Sequence, residues 1–538
     1  MSDVTLSPEL PGAALHRPNL DARPNLATAI IFVGLLAAGV LLTLHGLMSD
    51  MTDAGSAPLA IPAFVLLGVA LLIALGFEFV NGFHDTANAV ATVIYTHSLP
   101  ANVAVIWSGA WNLIGVLTSS GAVAFTIISL LPVELILQVG SNAGFAMIFA
   151  LLIAAIIWNL GTWWLGLPAS SSHTLIGSVI GVGLANQLLN PAGSGTSGVD
   201  WGQAMGVFRA LLFSPLVGFG ASALLLLAMK AVLRQRKLYE APNTTRPPPA
   251  WIRGLLVLTC TGVSFAHGSN DGQKGMGLIM LILIGVVPTA YALNRAMPES
   301  QTPAFVHTMQ AGAAVFAARA GGATIAPGEA RARVTDVVRT RSFDDPTAYA
   351  AVAALAQDIA AQVQKDGAIS RVPAAAVQNV RNEMYLASEA VRLMPKSGFS
   401  AAQQAAVTQF KRALDASTRF IPWWVKVSVA IALGLGTMVG WKRIVVTVGE
   451  RIGKSHLTYG QGAAAELVAA GTILAADVYG LPVSTTHVLS SGVAGTMAAN
   501  GSGLQWSTVR SLALAWVLTL PAAILLSGGL FILFRAAL

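Results

Sequence analysis

The sequence predicts an all-α polytopic membrane protein of about 10–12 transmembrane helices, built as two inverted repeats with broken or re-entrant helices. Three observations carry that expectation. Hydrophobic residues make up 55% of the 538-residue chain and charged residues only 10%, with a mean hydropathy of +0.68. An average soluble domain carries about 25% charge. Apolar runs at 27–44, 61–75, 145–157, 211–229 and 512–526 approach or reach the ~20 residues that cross a bilayer, and they do not alternate as barrel strands do. Finally, two pairs of unusual motifs recur in the same order in the two halves of the chain.

Residues 1–25 are polar and Pro-rich and read as an N-terminal tail with no cleavable signal peptide, so the first apolar run is expected to stay as an anchor. Residues 26–229 form the first transmembrane half. Residues 230–253, from Lys230 to Arg253, are short and basic and belong in the cytoplasm. Residues 254–294 start the second half, and 420–538 complete it; the basic stretch from Trp441 to Lys454 falls on the same side as the first. Between them, 295–419 is Ala-rich, mixed in charge and helical in pattern, a soluble insert that parity places in the periplasm. The lone Cys260 excludes an internal disulfide and a Cys-based metal cluster. A net charge of +7 fits positive cytoplasmic loops and gives no sign of nucleic acid; the bilayer is the expected partner, and a homo-oligomer is compatible with the sequence.

The first motif pair is Pro168-Ala-Ser-Ser-Ser-His173 and Pro482-Val-Ser-Thr-Thr-His487. Pro followed by hydroxyls suits a helix start. Between apolar spans, such a start implies a break, tolerated where backbone is buried in protein or lines a wet cavity. Its free N–H groups attract anions. The match extends through Leu175, Val179 and Gly181 in one copy and Leu489, Val493 and Gly495 in the other. The second pair aligns Phe79-Val-Asn-Gly82-Phe-His-Asp85-Thr-Ala-Asn88 with Phe265-Ala-His-Gly268-Ser-Asn-Asp271-Gly-Gln-Lys274. Repeats with matched breaks are the sequence mark of secondary transporters.

Asp85 and Asp271 sit in apolar surroundings. A charge at bilayer depth costs at least ~2.5–3.5 kcal/mol, so it faces a cavity or a partner. Carboxylate and carbonyl oxygens suit a hard cation, and a carboxylate beside His suits a proton. The bland alternative is an Asp capping a helix at the membrane edge. Ser171, Ser172, Thr485 and Thr486 can donate and accept, so they can hold a partly protonated oxyanion; their alternative is simple capping. His173 and His487 either couple protons or satisfy buried carbonyls. Glu78, one turn before Gly82, is a candidate coupling acid. Asn88 and Lys274, at matched positions, can meet an anion, or Lys274 can snorkel to the interface.

At these residues the chain resembles the PiT family of inorganic phosphate transporters, and within it the bacterial low-affinity Pit branch. The matching stretches are 81–95, 166–173, 266–275 and 481–487, with 440–443 and 458–461 in support. The resemblance implies alternating-access import of phosphate, with arsenate as an analogue, across the bacterial inner membrane, with no enzymatic activity. It also implies roles: Asn88, Ser171, Ser172, Thr485, Thr486 and Lys274 for the oxyanion, and Asp85, Asp271, His84 and Asn270 for the coupling ion or metal. The family pattern Gly-Ala-Asn-Asp reads Gly82-Phe-His84-Asp85 in the first copy here. His for Asn removes an amide carbonyl suited to Na⁺. That favours protons as the coupling ion, which the resemblance to the Pit branch also implies, together with phosphate carried as a neutral Mg²⁺ or Ca²⁺ complex and no permanently bound cofactor. Competing readings are a sulfate or sodium-coupled permease and, more remotely, a passive anion channel or a membrane enzyme.

Overall fold

Long apolar runs punctuated by Pro and Gly become long helices whose ends fall at that punctuation. The computed structural model describes residues 18, 20, 26–131, 136, 141–190, 199–242 and 247–537, without the side chains of 86–88 and 327. The first half contains α1 (Leu26–Asp53), α2 (Ile61–Tyr95), α3 (Ala101–Thr118), α4 (Ala122–Ile128), α5 (Asn142–Trp164), α6 (Ser171–Leu189) and α7 (Trp201–Val232). The second half opens with α8 (Ala250–Val286), entered through Pro249, and the short α9 (Pro288–Tyr291). Five helices follow: α10 (Thr302–Arg319), α11 (Ala330–Thr340), α12 (Pro346–Asp366), α13 (Ala374–Leu393) and α14 (Ala401–Thr418). The chain then returns through α15 (Trp423–Gly436), α16 (Lys442–Val446), α17 (Tyr459–Val478), α18 (Thr485–Asn500) and α19 (Trp506–Ala537).

Seven helices (α1, α2, α3, α5, α7, α8 and α19) are long and apolar enough to cross a membrane, or eight if α14 and α15, bent by 74°, count as one. The chain is a multi-pass membrane protein. Its span count is below the expected ten to twelve: α6, α17 and α18 are rich in Gly, Ala and hydroxyls and lie buried among the others, so they fall short of the apolar length that marks a span.

The repeats interlock. α3 packs on α8, and its counterpart α15 packs on α2; α6 lies along α19, and α18 lies along α7. α7 and α19 each span 32 residues and each carry an interior proline, Pro215 and Pro521. The matched glycines Gly181 and Gly495 make the same approach. A Cβ at Gly181 would stand 2.2 Å from the Ile524 carbonyl oxygen, and one at Gly495 2.1 Å from that of Phe219. No side chain fits either crossing, so helices of the two halves touch backbone to backbone.

The insert helices share a core with the bundle. Phe316, Val352, Met384 and Phe410 belong to the same buried apolar cluster as Phe77 of α2 and Trp424 of α15. A polar clasp adds to this at α7. Asp200 caps that helix, accepting from the Gln203 N–H at 2.9 Å, and its other oxygen lies 2.8 Å from the Arg392 guanidinium of α13. Arg341 donates to the Val199 carbonyl at 3.0 Å. Burial pushes the Asp200 carboxyl up, but the Gln203 N–H and the Arg392 guanidinium outweigh it and hold it below the usual carboxylate range. A lowered folded value means the clasp acts fully above the unfolded pKa, about 3.9 for Asp, and fades as pH falls through the folded value. Asp200→Ala is expected to cost about 0.5–2 kcal/mol through the lost cap alone. Hydrogen exchange checks this: the insert helices should exchange faster in the variant, while wild-type protection holds between pH 7 and 5.

Candidate transport site

Each hydroxyl motif starts a helix, and the first hydroxyl of each is consumed in doing so. Ser170 accepts from the His173 N–H at 3.2 Å and Ser484 from the His487 N–H at 3.1 Å. Pro168 and Pro482 lie in the non-helical links that break α5 from α6 and α17 from α18. The caps leave Ser171, Ser172, Thr485 and Thr486 in the first turns, all buried. The acidic motifs behave differently. α2 and α8 run unbroken through them, so Asp85 and Asp271 sit mid-helix. Their glycines serve packing: a Cβ at Gly82 would stand 2.3 Å from the Leu433 carbonyl oxygen, and one at Gly268 2.1 Å from that of Asn112.

Four elements converge on the two carboxylates. Ser171 Oγ donates to Asp85 Oδ2 at 2.5 Å, and Thr486 Oγ1 donates to Asp85 Oδ1 at 2.8 Å. One carboxylate thus joins the hydroxyl motifs of both halves. Ser171 Oγ also lies 3.4 Å from Asp271 Oδ2. Lys274 Nζ sits 2.8 Å from Asp271 Oδ2 and donates to Ser172 Oγ at 2.5 Å, and Ser172 Oγ donates to the Val483 carbonyl at 2.7 Å. Lys274 does not snorkel: it is fully buried. His84 bridges Asp85 Oδ1 at 2.9 Å and Thr162 Oγ1 at 3.1 Å. Among the described residues, Asp271 Oδ1 and Thr485 Oγ1 have no hydrogen-bond partner, although both are buried. Buried polar atoms of this kind are rare in a native interior and point to a ligand or an alternative partner.

Other candidates take different places. Asn270 donates to the Leu481 carbonyl at 3.2 Å, tying α8 to the link before α18 rather than turning toward the carboxylates. Glu78 is fully buried, accepts from Asn81 at 3.4 Å and packs against Gly275, next to Lys274. The His173 and His487 rings meet at a tilt of 41° with centroids 4.6 Å apart, and His487 meets Trp516 at 33° and 4.3 Å. The side chain of Asn88 lies outside the described residues.

His267 is the residue that sequence reasoning missed. Its Nε2 lies 3.4 Å from Asp271 Oδ2, and its Nδ1 pairs with Asn112 Oδ1 at 2.6 Å. Asp85, His267 and Asp271 each bring a potential ligand atom within 4.8 Å of the others, so together they can hold one metal ion. The signal was present in the alignment of repeats, where His267 occupies the position of Asn81. Glu466, buried and bonded to Thr92 and Thr259, was also passed over, although it is a carboxylate in the middle of an apolar helix.

The model of a family described as "Phosphate transporter family" matches residues 81–527. The chain belongs to that family. It is 40% identical over 498 residues to the low-affinity inorganic phosphate transporter PitA of Escherichia coli K12, covering 87% of this chain and 96% of that one. It is 38% identical over 486 residues to PitB of the same organism, with the same coverage. A solved structure titled "The sodium-dependent phosphate transporter" is 18% identical with a TM-score of 0.49, covering 88% of this chain and 100% of that one. The family match takes in both hydroxyl motifs and both acidic motifs, as well as the insert between them.

Proposed function

We propose that this family member imports inorganic phosphate across the bacterial inner membrane, as a neutral divalent metal–phosphate complex in symport with a proton, by alternating access. The observation that supports it most is the meeting of the two hydroxyl motifs on the two oxygens of Asp85. Asp85, Asp271 and His267 would take the metal of the complex. Carboxylate oxygens suit Mg²⁺ and Ca²⁺, and Mg²⁺ keeps several waters and binds substrate phosphate as well. A cation on Asp85 competes with Ser171 and Thr486 for the carboxylate. Those hydroxyls then turn to donate to the oxyanion, together with N–H groups of the two helix starts. Cation and oxyanion thereby support each other's binding. Lys274 offers a further donor, already 2.5 Å from Ser172.

Charge arithmetic favours a neutral cargo. Moving one charge across 100 mV is worth ~2.3 kcal/mol, and bare HPO₄²⁻ entering a negative interior would face roughly twice that. A divalent cation cancels the charge. One co-transported proton then drives entry, against about 1.4 kcal/mol for a tenfold phosphate gradient.

The test is radiolabelled phosphate uptake into vesicles holding the protein, with and without Mg²⁺ and with the proton gradient intact or collapsed. Uptake should need both, and arsenate should compete where sulfate does not, because sulfate carries no proton near neutral pH. Indifference to divalent cations would sink the metal complex. Accumulation that survives loss of the proton gradient would sink proton symport.

A further inference from the structure

We propose that Asp477 is the acid that loads the coupling proton from the aqueous face beside the insert; this rests on the proton symport proposed above. Asp477 lies in the last turn of α17. A helix C-terminus carries negative partial charge, so helix stability does not explain an aspartate there. The residue is half-buried. Its oxygens accept from Ser269 Oγ at 2.7 Å and Gln273 Nε2 at 2.6 Å, the residues that flank Asp271 on α8. Gln273 in turn accepts from the Val123 N–H of α4 at 2.9 Å.

The rest of its surface is partly exposed, beside a cavity lined by its chain neighbours. That cavity, of about 430 Å³, opens between the bundle and the insert, lined by Phe125, Asp415, Arg419, Val478, Tyr479 and Gly480 among others. Its lining includes Val478, the residue that follows Asp477 in the chain. One carboxylate thus stands between this cavity and the helix that carries Asp271. The charges that face this region are already matched. Asp415 pairs with Arg419 at 3.2 Å, one turn apart at the end of α14, and on α8 Asp271 pairs with Lys274 at 2.8 Å. Among the described residues, no charge from α2, α4, α7 or α18, the other helices packed on α17, acts on Asp477. The proton adds to an Asp477 oxygen from water and later leaves that oxygen for the Asp271 site. Only O–H bonds form and break.

A purely structural Asp477 would pin α17 to α8, and two transport modes separate the roles. Proteoliposomes carry wild type, Asp477→Asn or Asp477→Glu, with radiolabelled phosphate and Mg²⁺. Accumulation is measured under an inward proton gradient, and phosphate–phosphate exchange is measured at equal pH. For one proton per phosphate, wild-type accumulation should rise roughly tenfold per pH unit. The Asn variant, which keeps the size and an acceptor oxygen, should lose that response and keep exchange; the Glu variant should regain the response. A wild-type gradient response in Asp477→Asn overturns the proposal, as does parallel loss of exchange in both variants. A wild type that ignores the gradient marks the failure of proton symport itself.

Discussion

Asp85→Asn is expected to leave the protein folded and to stop phosphate uptake. The substitution preserves shape and removes the charge on which Ser171 and Thr486 converge at 2.5 and 2.8 Å. Hydrogen bonds to charged groups are worth about 1.5–3 kcal/mol each, roughly twice a neutral pair. An amide also presents an NH₂ to one of the two hydroxyls, and that hydroxyl must turn away. A cation would lose one of the two carboxylates that anchor it. Those hydroxyl bonds give way when the cation binds, so the loss of uptake comes from the cation's weaker hold; a loss of about 2.8 kcal/mol there is roughly a hundredfold at 1.4 kcal/mol per decade. Uptake is measured at equal protein in the membrane, with thermal unfolding as the folding control. A folded Asn variant that transports near the wild-type rate would remove Asp85 from the site.

The parts of this arrangement that were legible in the sequence are local ones. Capping works over three residues, so Pro168 with Ser170 and Pro482 with Ser484 announced helix starts at the places where α6 and α18 begin. The repeat brought Asp85 and Asp271 to notice as a pair. Gly82 and Gly268, by contrast, carry no such local signal and prove to be contact points within continuous helices. A glycine that bends a chain and a glycine that admits a neighbouring backbone look alike until the neighbour is known. Helices α6 and α18 are surrounded by protein instead of lipid, so Gly, Ser and Thr replace the Leu and Val that a hydropathy count requires. His267 escaped because it shares its repeat position with Asn81 and not with another His. Asp477 and Glu466 have partners 204 and 374 positions away, at distances no local period reveals.

The second large effect is expected at the buried pair of Asp271 and Lys274, and it separates stability from transport. Both side chains are fully buried and lie 2.8 Å apart. Removing one partner of a buried pair leaves an uncompensated charge and typically costs about 3–5 kcal/mol, whereas replacing both with apolar groups of similar volume is often neutral. Asp271→Asn should therefore lower the folded yield and the unfolding temperature. Adding Lys274→Met, which fills the space of the lysine stem without its charge, should recover most of that loss. Transport should not recover, because the double variant has neither the second carboxylate of the metal cluster nor the ammonium beside Ser172. Thermal unfolding in detergent and phosphate uptake, measured on the same preparations, read the two effects. If the double variant regained uptake along with stability, the pair would be structural, and the cargo would have to be held by Asp85, His267 and the hydroxyls without it. If it regained neither, Lys274 would be stabilised by more than Asp271, and its bond to Ser172 at the start of α6 would be the contact to test next.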